Sequence, residues 1–356
     1  IDLGSGIFET ATVDTNILMI EKAQNQNHCK AADVSKIKQI DFANLAWVTL
    51  KNLGKDTWTI ASDVEQSIKA KIEAKGKPLK EWDINIYRGV LTGYNEAFII
   101  DGKKKDELIA QDPRSAEIIK PILRGRDIKR YKAEFADLWL IATFPALKLN
   151  IDDYPAVRDY LKSFGKKLHQ TGEEYIDENG VKQKTRKKTG NKWFETQDQI
   201  GYHQEFEKEK IVWKIIGSNI NFLIDKNAYY YNNAANILTS KNENLLSLVS
   251  ILNSKILEWH FKKNIFIEVE GGGIQMFNTV MESIPIPPLS ESEQQPFVEL
   301  VNQILALKEQ GKDTSALEQQ IDNLVYRLYD LTYDEVKVID PDFPLTRQEY
   351  EAIRLE

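Results

Sequence analysis

The chain has 356 residues, 42% of them hydrophobic and 28% charged, which is room for two or three domains with a sizeable core. No apolar run reaches the roughly 18 residues needed to cross a bilayer, no secretory signal is recognised, and a single cysteine, Cys29, excludes an intrachain disulfide and a cysteine-rich zinc site, so a cytoplasmic protein is expected. The net charge of −7 argues against nucleic acid only until its distribution is read: residues 291–356 hold 15 acidic and 6 basic residues, whereas residues 120–132 hold six basic residues against Asp127 alone and residues 181–193 hold six with no acid.

In chain order, the first 22 residues end in a β-like run, TVDTNILMIEK (residues 12–22). The polar AQNQNHCKAAD (residues 23–33) reads as a linker or long loop. SDVEQSIKAKIEAKGKPL (residues 62–79) predicts a helix, with Val64, Ile68 and Ile72 on one face, Ser62 or Asp63 as its cap and Gly76 as its stop. In YRGVLTGYNEAFII (residues 87–100) Gly89 and Gly93 flank a turn, with Tyr94 and Asn95 near its tip. Strands are expected at 138–144, 210–216, 221–224 and 229–237, and helices at 156–164 and 244–261, the latter with Leu246, Val249, Leu252, Ile256 and Trp259 on one face. This alternation predicts an α/β fold, α+β mixed, with a mixed sheet. The prolines of IPIPP (residues 284–288) mark a boundary. Beyond it Phe297, Leu300, Ile304 and Leu307 form one stripe and Leu317, Ile321, Leu324 and Leu328 another, joined through Gly311 and Asp313-Thr314-Ser315, which predicts an antiparallel helical hairpin. The expected units are residues 1–33, 34–288 and 289–356.

Catalytic signals are weak. Asp2-Leu3-Gly4-Ser5-Gly6 resembles the D-x-G-x-G loop that holds S-adenosylmethionine in many methyltransferases, with Glu21 where a ribose-binding acid would sit. The IFETATVDTN that follows is too β-branched for the helix such a loop requires. The N/D-P-P-Y/F tetrapeptide that grips a flipped adenine is missing, since Pro287-Pro288 is preceded by Ile286 and followed by Leu289, so this chain is not expected to methylate by itself. Asp63 with Glu73 and Lys75, and Asp330 with Glu335 and Lys337, match a nuclease D…E-x-K spacing but on helix-patterned sequence. His28, His169, His203 and His260 are dispersed. No catalytic, cofactor or metal site is expected in the chain.

The basic segments carry a different chemistry. Exposed charges act over only about 8–10 Å in salt, so local potential decides whether a phosphate backbone is attracted. RGRDIKRYK presents Arg124, Arg126, Lys129, Arg130 and Lys132 in one turn-rich stretch, with Asp127 able to orient an arginine. VKQKTRKKTGNKWF (residues 181–194) follows the acidic TGEEYIDENG (residues 171–180), and the pair reads as an exposed hairpin. Lys184, Arg186, Lys187, Lys188 and Lys192, with Lys182, would track phosphates, while Asn191, Trp193 and Gln183 would approach bases or sugars. A solvated basic face remains the alternative for both. Gly271-Gly272-Gly273 reads as a structural turn, and Trp213 and Tyr229 to Tyr231 as core and edge residues.

Six motifs occur in a characteristic order: RGVLTGYNEAFIID (residues 88–101), KPILRGRDIKRYK (120–132), KWFETQDQIGYHQEFEKEKIVW (192–213), AYYYNNAANIL (228–238), ILNSKILEWHFKK (251–263) and GGGIQMFNTVMESIPIPP (271–288). Together they resemble the C-terminal target recognition region of TaqI-like and type IIG restriction-modification enzymes that methylate adenine. The resemblance implies that residues 1–33 are the end of a methyltransferase domain with its linker, that 34–288 are a target recognition domain, and that 289–356 are a hairpin like the spacer helices of type I specificity subunits. It implies double-stranded DNA and the parent's methyltransferase or nuclease domains as partners. S-adenosylmethionine, and magnesium if a nuclease is fused, would serve the parent rather than this chain. The rival readings are a stand-alone methyltransferase using residues 2–6 and a protein-interaction adaptor.

Overall fold

In a computed structural model of the chain, the described residues are all except 5, 6, 9–12, 14, 25, 36, 38, 52–59, 266, 267, 270–272 and 356. A central antiparallel sheet takes its strands in the order Phe222–Asp225, Lys210–Lys214, Ala235–Ser240, Ile84–Arg88. Side chains alternate across a strand, so Ile211 and Trp213 enter one hydrophobic core while Val212, between them, enters a second. Phe222 and Ile224 likewise join the first core and Leu223 the second. Cover on both faces explains why these strands read as unbroken apolar runs.

The first core lies between this sheet and helices. Helix Asp63–Lys75 is capped by Ser62, whose hydroxyl and backbone pair reciprocally with Glu65, and it buries Ile68 and Ile72 while Val64 stays exposed. Helices Glu291–Glu309 and Ser315–Leu328 form the expected hairpin, with Gly311 in the left-handed region at φ +67° between them. Phe297, Ile304 and Ile321 are its buried ridge. The second core packs against a sheet ordered Tyr230–Tyr231, Ile119–Leu123, Leu138–Ile141, Ile99–Asp101, in which only the first pair is parallel. Helices Gly102–Gln111 and Pro155–Lys162 belong to this half.

Four expectations change. The strand expected at 229–237 is two strands in two sheets, because the chain turns at Asn232-Asn233-Ala234 and crosses from one sheet to the other. The helix expected at 244–261 is two, Leu245–Leu252 and Lys255–His260. Asn253 breaks it: its carboxamide donates to Phe222 O and accepts from Phe222 N, both at 3.0 Å, while Ser254 caps the second helix. The strand–turn–strand that the resemblance implies for residues 87–100 has its two strands, Ile84–Arg88 and Ile99–Asp101, in different sheets, with a short helix, Asn95–Phe98, before the second. The β-like run 12–22 holds only the strand Thr15–Asn16 among its described residues, and Leu18 and Ile20 are 75% and 84% exposed.

Among the described residues one ion pair is wholly buried. Lys210 Nζ lies 2.6 Å from Asp225 Oδ2 and donates to Phe206 O, while Asp225 also accepts from the Tyr231 hydroxyl (2.9 Å) and from Asn227 N–H (2.7 Å). Burial pushes the Lys210 ammonium below its ordinary value despite the neighbouring carboxylate. The network fixes the turn that leads to the crossover at Asn232.

Candidate nucleic-acid interface

Three turns meet where the chain crosses between sheets, and glycine lets them meet. A Cβ on Gly89 would stand 2.1 Å from Asn232 O, so only glycine fits there, and the contact is pinned by Gly89 N–H to Ala235 O (2.8 Å) and Val90 N–H to Tyr231 O (2.7 Å). A Cβ on Gly125 would meet Ala234 at 3.3 Å and the Lys214 side chain at 3.6 Å. Each glycine neighbours arginine, so the close approach carries Arg88, Arg124 and Arg126 to the same place. Lys214, at the end of its buried strand, completes the set. The four line a cleft of about 1080 Å³, and among the described residues lining it there is no carboxylate.

Asp127 stands behind it. Arg124 Nε and Nη2 each lie 2.9 Å from a different Asp127 oxygen, a two-pronged pair that fixes the guanidinium plane. Burial opposes ionisation of Asp127, but the Arg124 side chain and N–H hold its carboxyl below the usual range. Burial and the neighbouring Lys129 ammonium both push Lys214 below the usual lysine value. A half-buried lysine beside a second cation favours an anion at the cleft mouth.

Of the residues singled out in RGRDIKRYK, Arg124 and Arg126 line the cleft and Lys129 bears on it through Lys214. Lys132 sits opposite Lys129 in a two-residue strand pair. Arg130 is a correction: its Nε lies 2.5 Å from Glu318 Oε2 on the helical hairpin, and Glu318 also meets Lys308 and Thr314, so Arg130 ties this segment to the hairpin.

The second basic segment is a hairpin, Glu174–Ile176 with Lys182–Lys184, turning through Gly180 at φ +75°. Lys184, Lys187, Lys188 and Lys192 are exposed. Arg186 is not, and it corrects the expectation of a phosphate contact. At 4% exposure it donates to Leu168 O (3.0 and 2.7 Å), Thr92 O (3.0 Å), Glu195 O (2.8 Å) and Trp193 O (2.6 Å), and it stacks on Phe98. Burial pushes its pKa down to about 10. Asn191 is occupied likewise, donating to Thr196 O and Gln197 O and accepting from Gln199. Trp193 is half-buried, edge-on to Phe194 at 5.6 Å between centroids.

Against protein-family models, residues 120–286 match the TaqI-like C-terminal specificity domain. The match covers 167 of the 356 residues. Among solved structures, the chain resembles the type IIG restriction endonuclease BpuSI at 16% identity and TM-score 0.46, covering 80% of this chain and 36% of that one. It also resembles the type IIL restriction-modification enzyme MmeI, solved in complex with DNA, at 11% identity and TM-score 0.50, covering 87% of this chain and 40% of that one. The chain thus spans well under half the length of either neighbour. Comparison with curated proteins returns no match.

The matched segment supplies all of the cleft's cations except Arg88, which ends the strand Ile84–Arg88 well upstream of it. Sequence reading missed Lys214 and the carboxamides Asn232, Asn233, Asn236, Gln275 and Asn278 that share the cleft. Their signal was amide density in NNAAN and IQMFN, which a search for charge does not find. Gly273 begins a strand, Gly273–Gln275, that pairs with Ile216–Gly217, while Gly271 and Gly272 lie outside the described residues. Trp213 and Tyr231 are core residues, the indole N–H donating to Met276 O.

The catalytic alternatives gain no geometry. Asp2–Gly4 is a strand paired with Thr15–Asn16, and Ser5 and Gly6 lie outside the described residues. Lys75 pairs with Asp330 and Lys71 with Glu335, so both nuclease-like spacings are spent joining helix Asp63–Lys75 to the segment around helix Tyr333–Ile339. Among the described residues no three His, Cys, Asp or Glu side chains cluster as metal ligands, and no helix is long and apolar enough to cross a membrane.

Proposed function

We propose that this chain is the DNA-reading part of a TaqI-like or type IIG restriction-modification protein, and that the cleft between the two sheets is its contact with double-stranded DNA. The observation that carries this is the convergence of Arg88, Arg124, Arg126 and Lys214 on one concavity with no carboxylate among its described lining residues, in a chain whose net charge is −7. Cations gathered against the sign of the whole molecule answer to a local anion, and DNA is the anion that a specificity domain is expected to meet. Lys184, Lys187, Lys188 and Lys192 would extend the phosphate track, while adenine methylation with S-adenosylmethionine, and any magnesium-dependent cleavage, would belong to other domains of the parent.

The test is fluorescence-anisotropy binding of the full chain to random duplex DNA from about 50 to 200 mM salt. Affinity should fall steeply with salt, and Arg126→Ala or Lys214→Ala should each lower the salt slope by about one unit. Salt-independent binding, or none at 50 mM, overturns the assignment. Micromolar affinity for S-adenosylmethionine would favour the methyltransferase reading of residues 2–6 instead.

A further inference from the structure

The cations account for backbone attraction but not for the neutral groups around them. Asn233, Asn236 and Gln275 face the same cleft and make no side-chain hydrogen bond among the described residues, and Asn278 has a buried carboxamide oxygen without a partner. Asn236 is only 3% exposed. Buried polar groups are normally paired, so the buried Asn278 oxygen and Asn236, with the half-buried Asn233 and Gln275 beside them, ask for a ligand that pairs with them. By contrast, in the same half Asn191 has three partners and Gln170 donates to Lys192 O and Glu195 O.

A carboxamide offers one donor and one acceptor at fixed spacing. In the major groove adenine alone among the bases presents the matching pair, an amino donor beside the ring acceptor N7. Phosphate offers acceptors only, and the cleft's arginines and lysine already serve it. The rim adds exposed apolar surface from Ile216 and Phe277, 54% and 42% exposed, able to touch a thymine methyl or a base face. We infer that Asn233, Gln275 and Asn278 are specificity-determining residues that read adenine, with Asn236 on the cleft floor. This rests on the DNA-binding reading above and goes beyond it by naming the base and the side chains.

The experiment is selection of bound sequences from a randomised duplex library with the full chain, its Gln275→Ala and Asn233→Ala variants, and Arg126→Ala as a comparison. The wild type should enrich a motif holding at least one adenine. Each carboxamide variant should relax one adenine position by about tenfold or more, its loss on the selected site exceeding any loss on random duplex by that factor. Arg126→Ala should instead weaken all sequences together. Replacing the relaxed adenine by 7-deazaadenine should cost the wild type the same factor and the variant nothing further. Tighter binding when that adenine is left unpaired identifies an extruded base, and tighter binding when it is paired identifies groove reading. An adenine-free motif, unchanged motifs in both variants, or a parallel loss on random and selected DNA overturns the inference while leaving DNA binding intact. Failure of the wild type to bind any duplex at 50 mM removes both.

Discussion

Arg186 separates a structural cation from a DNA contact more sharply than any other residue. Sequence places it in a basic run, yet its guanidinium is buried and makes five hydrogen bonds to four carbonyls, those of Leu168, Thr92, Glu195 and Trp193. Truncation to methionine keeps the stem and orphans the Leu168 and Trp193 carbonyls at about 1–3 kcal/mol each, while Glu195 O keeps the Gln170 carboxamide and Thr92 O keeps Gln197 N–H. Relief of the cost of burying a cation with no acid beside it offsets part of this, so Arg186→Met should destabilise by about 3–5 kcal/mol. Lysine has the charge but not the planar fork and can reach at most three of the four acceptors, so Arg186→Lys should lose roughly 2 kcal/mol. Urea unfolding followed by tryptophan fluorescence gives both numbers, provided the slope with urea is unchanged. Duplex affinity, measured well below the unfolding midpoint, should stay within about twofold for the lysine variant. A methionine variant that unfolds within 1 kcal/mol of wild type but loses salt-dependent binding refutes the reasoning and restores Arg186 as a phosphate contact.

Further outcomes follow from other buried groups. Asp225→Ala leaves the Lys210 ammonium buried and should cost about 3–5 kcal/mol in urea unfolding, with Lys210→Met in the same chain recovering more than half; strict additivity would contradict the buried pair. Burial pushes the Asp322 carboxyl up to about 6 although Lys255 N–H donates to it, so the fold prefers its protonated form and stability should fall as pH rises from about 4 to 6. Asp322→Asn should flatten that fall and exceed wild type at pH 7 by at most about 3 kcal/mol; identical pH profiles would count against it. Gly89→Ala should displace the Asn232 turn and weaken duplex binding more than it lowers the unfolding midpoint, the reverse order refuting its place at the cleft. Glu318→Gln should loosen the Arg130 tie and weaken binding at unchanged salt slope, whereas a lowered slope would mean a phosphate contact had been lost.

Much of the fold was legible because it follows local rules. The Ser62 cap, the hairpin stripes and the strands around 138, 210 and 222 are periodicity and propensity acting as expected. What was hidden depends on distant partners. Asn253 looks like any polar residue on a long helix until Phe222 arrives to pair with its carboxamide. The crossover at Asn232 follows from Gly89, more than 140 positions earlier in the chain. At the site, sequence found Arg124 and Arg126 because they are charged neighbours, and mistook Arg130 and Arg186 because charge alone does not say whether solvent, an acid or a carbonyl lies beside it. Lys214 and the carboxamides come from separate segments that only the two-sheet arrangement gathers.

The strand Lys210–Lys214 contributes to both hydrophobic cores at once, and that has a kinetic consequence. Its amides are bonded to strands on either side and covered above and below, so exchange with heavy water requires both halves to open together. The halves therefore cannot melt as separate foldons without exposing this ribbon. Amides of Ile211, Val212 and Trp213 should exchange at one common, slowest rate, while the turn at Asn232 to Ala234 exchanges far sooner, leaving a pliable reading edge mounted on the least yielding part of the chain.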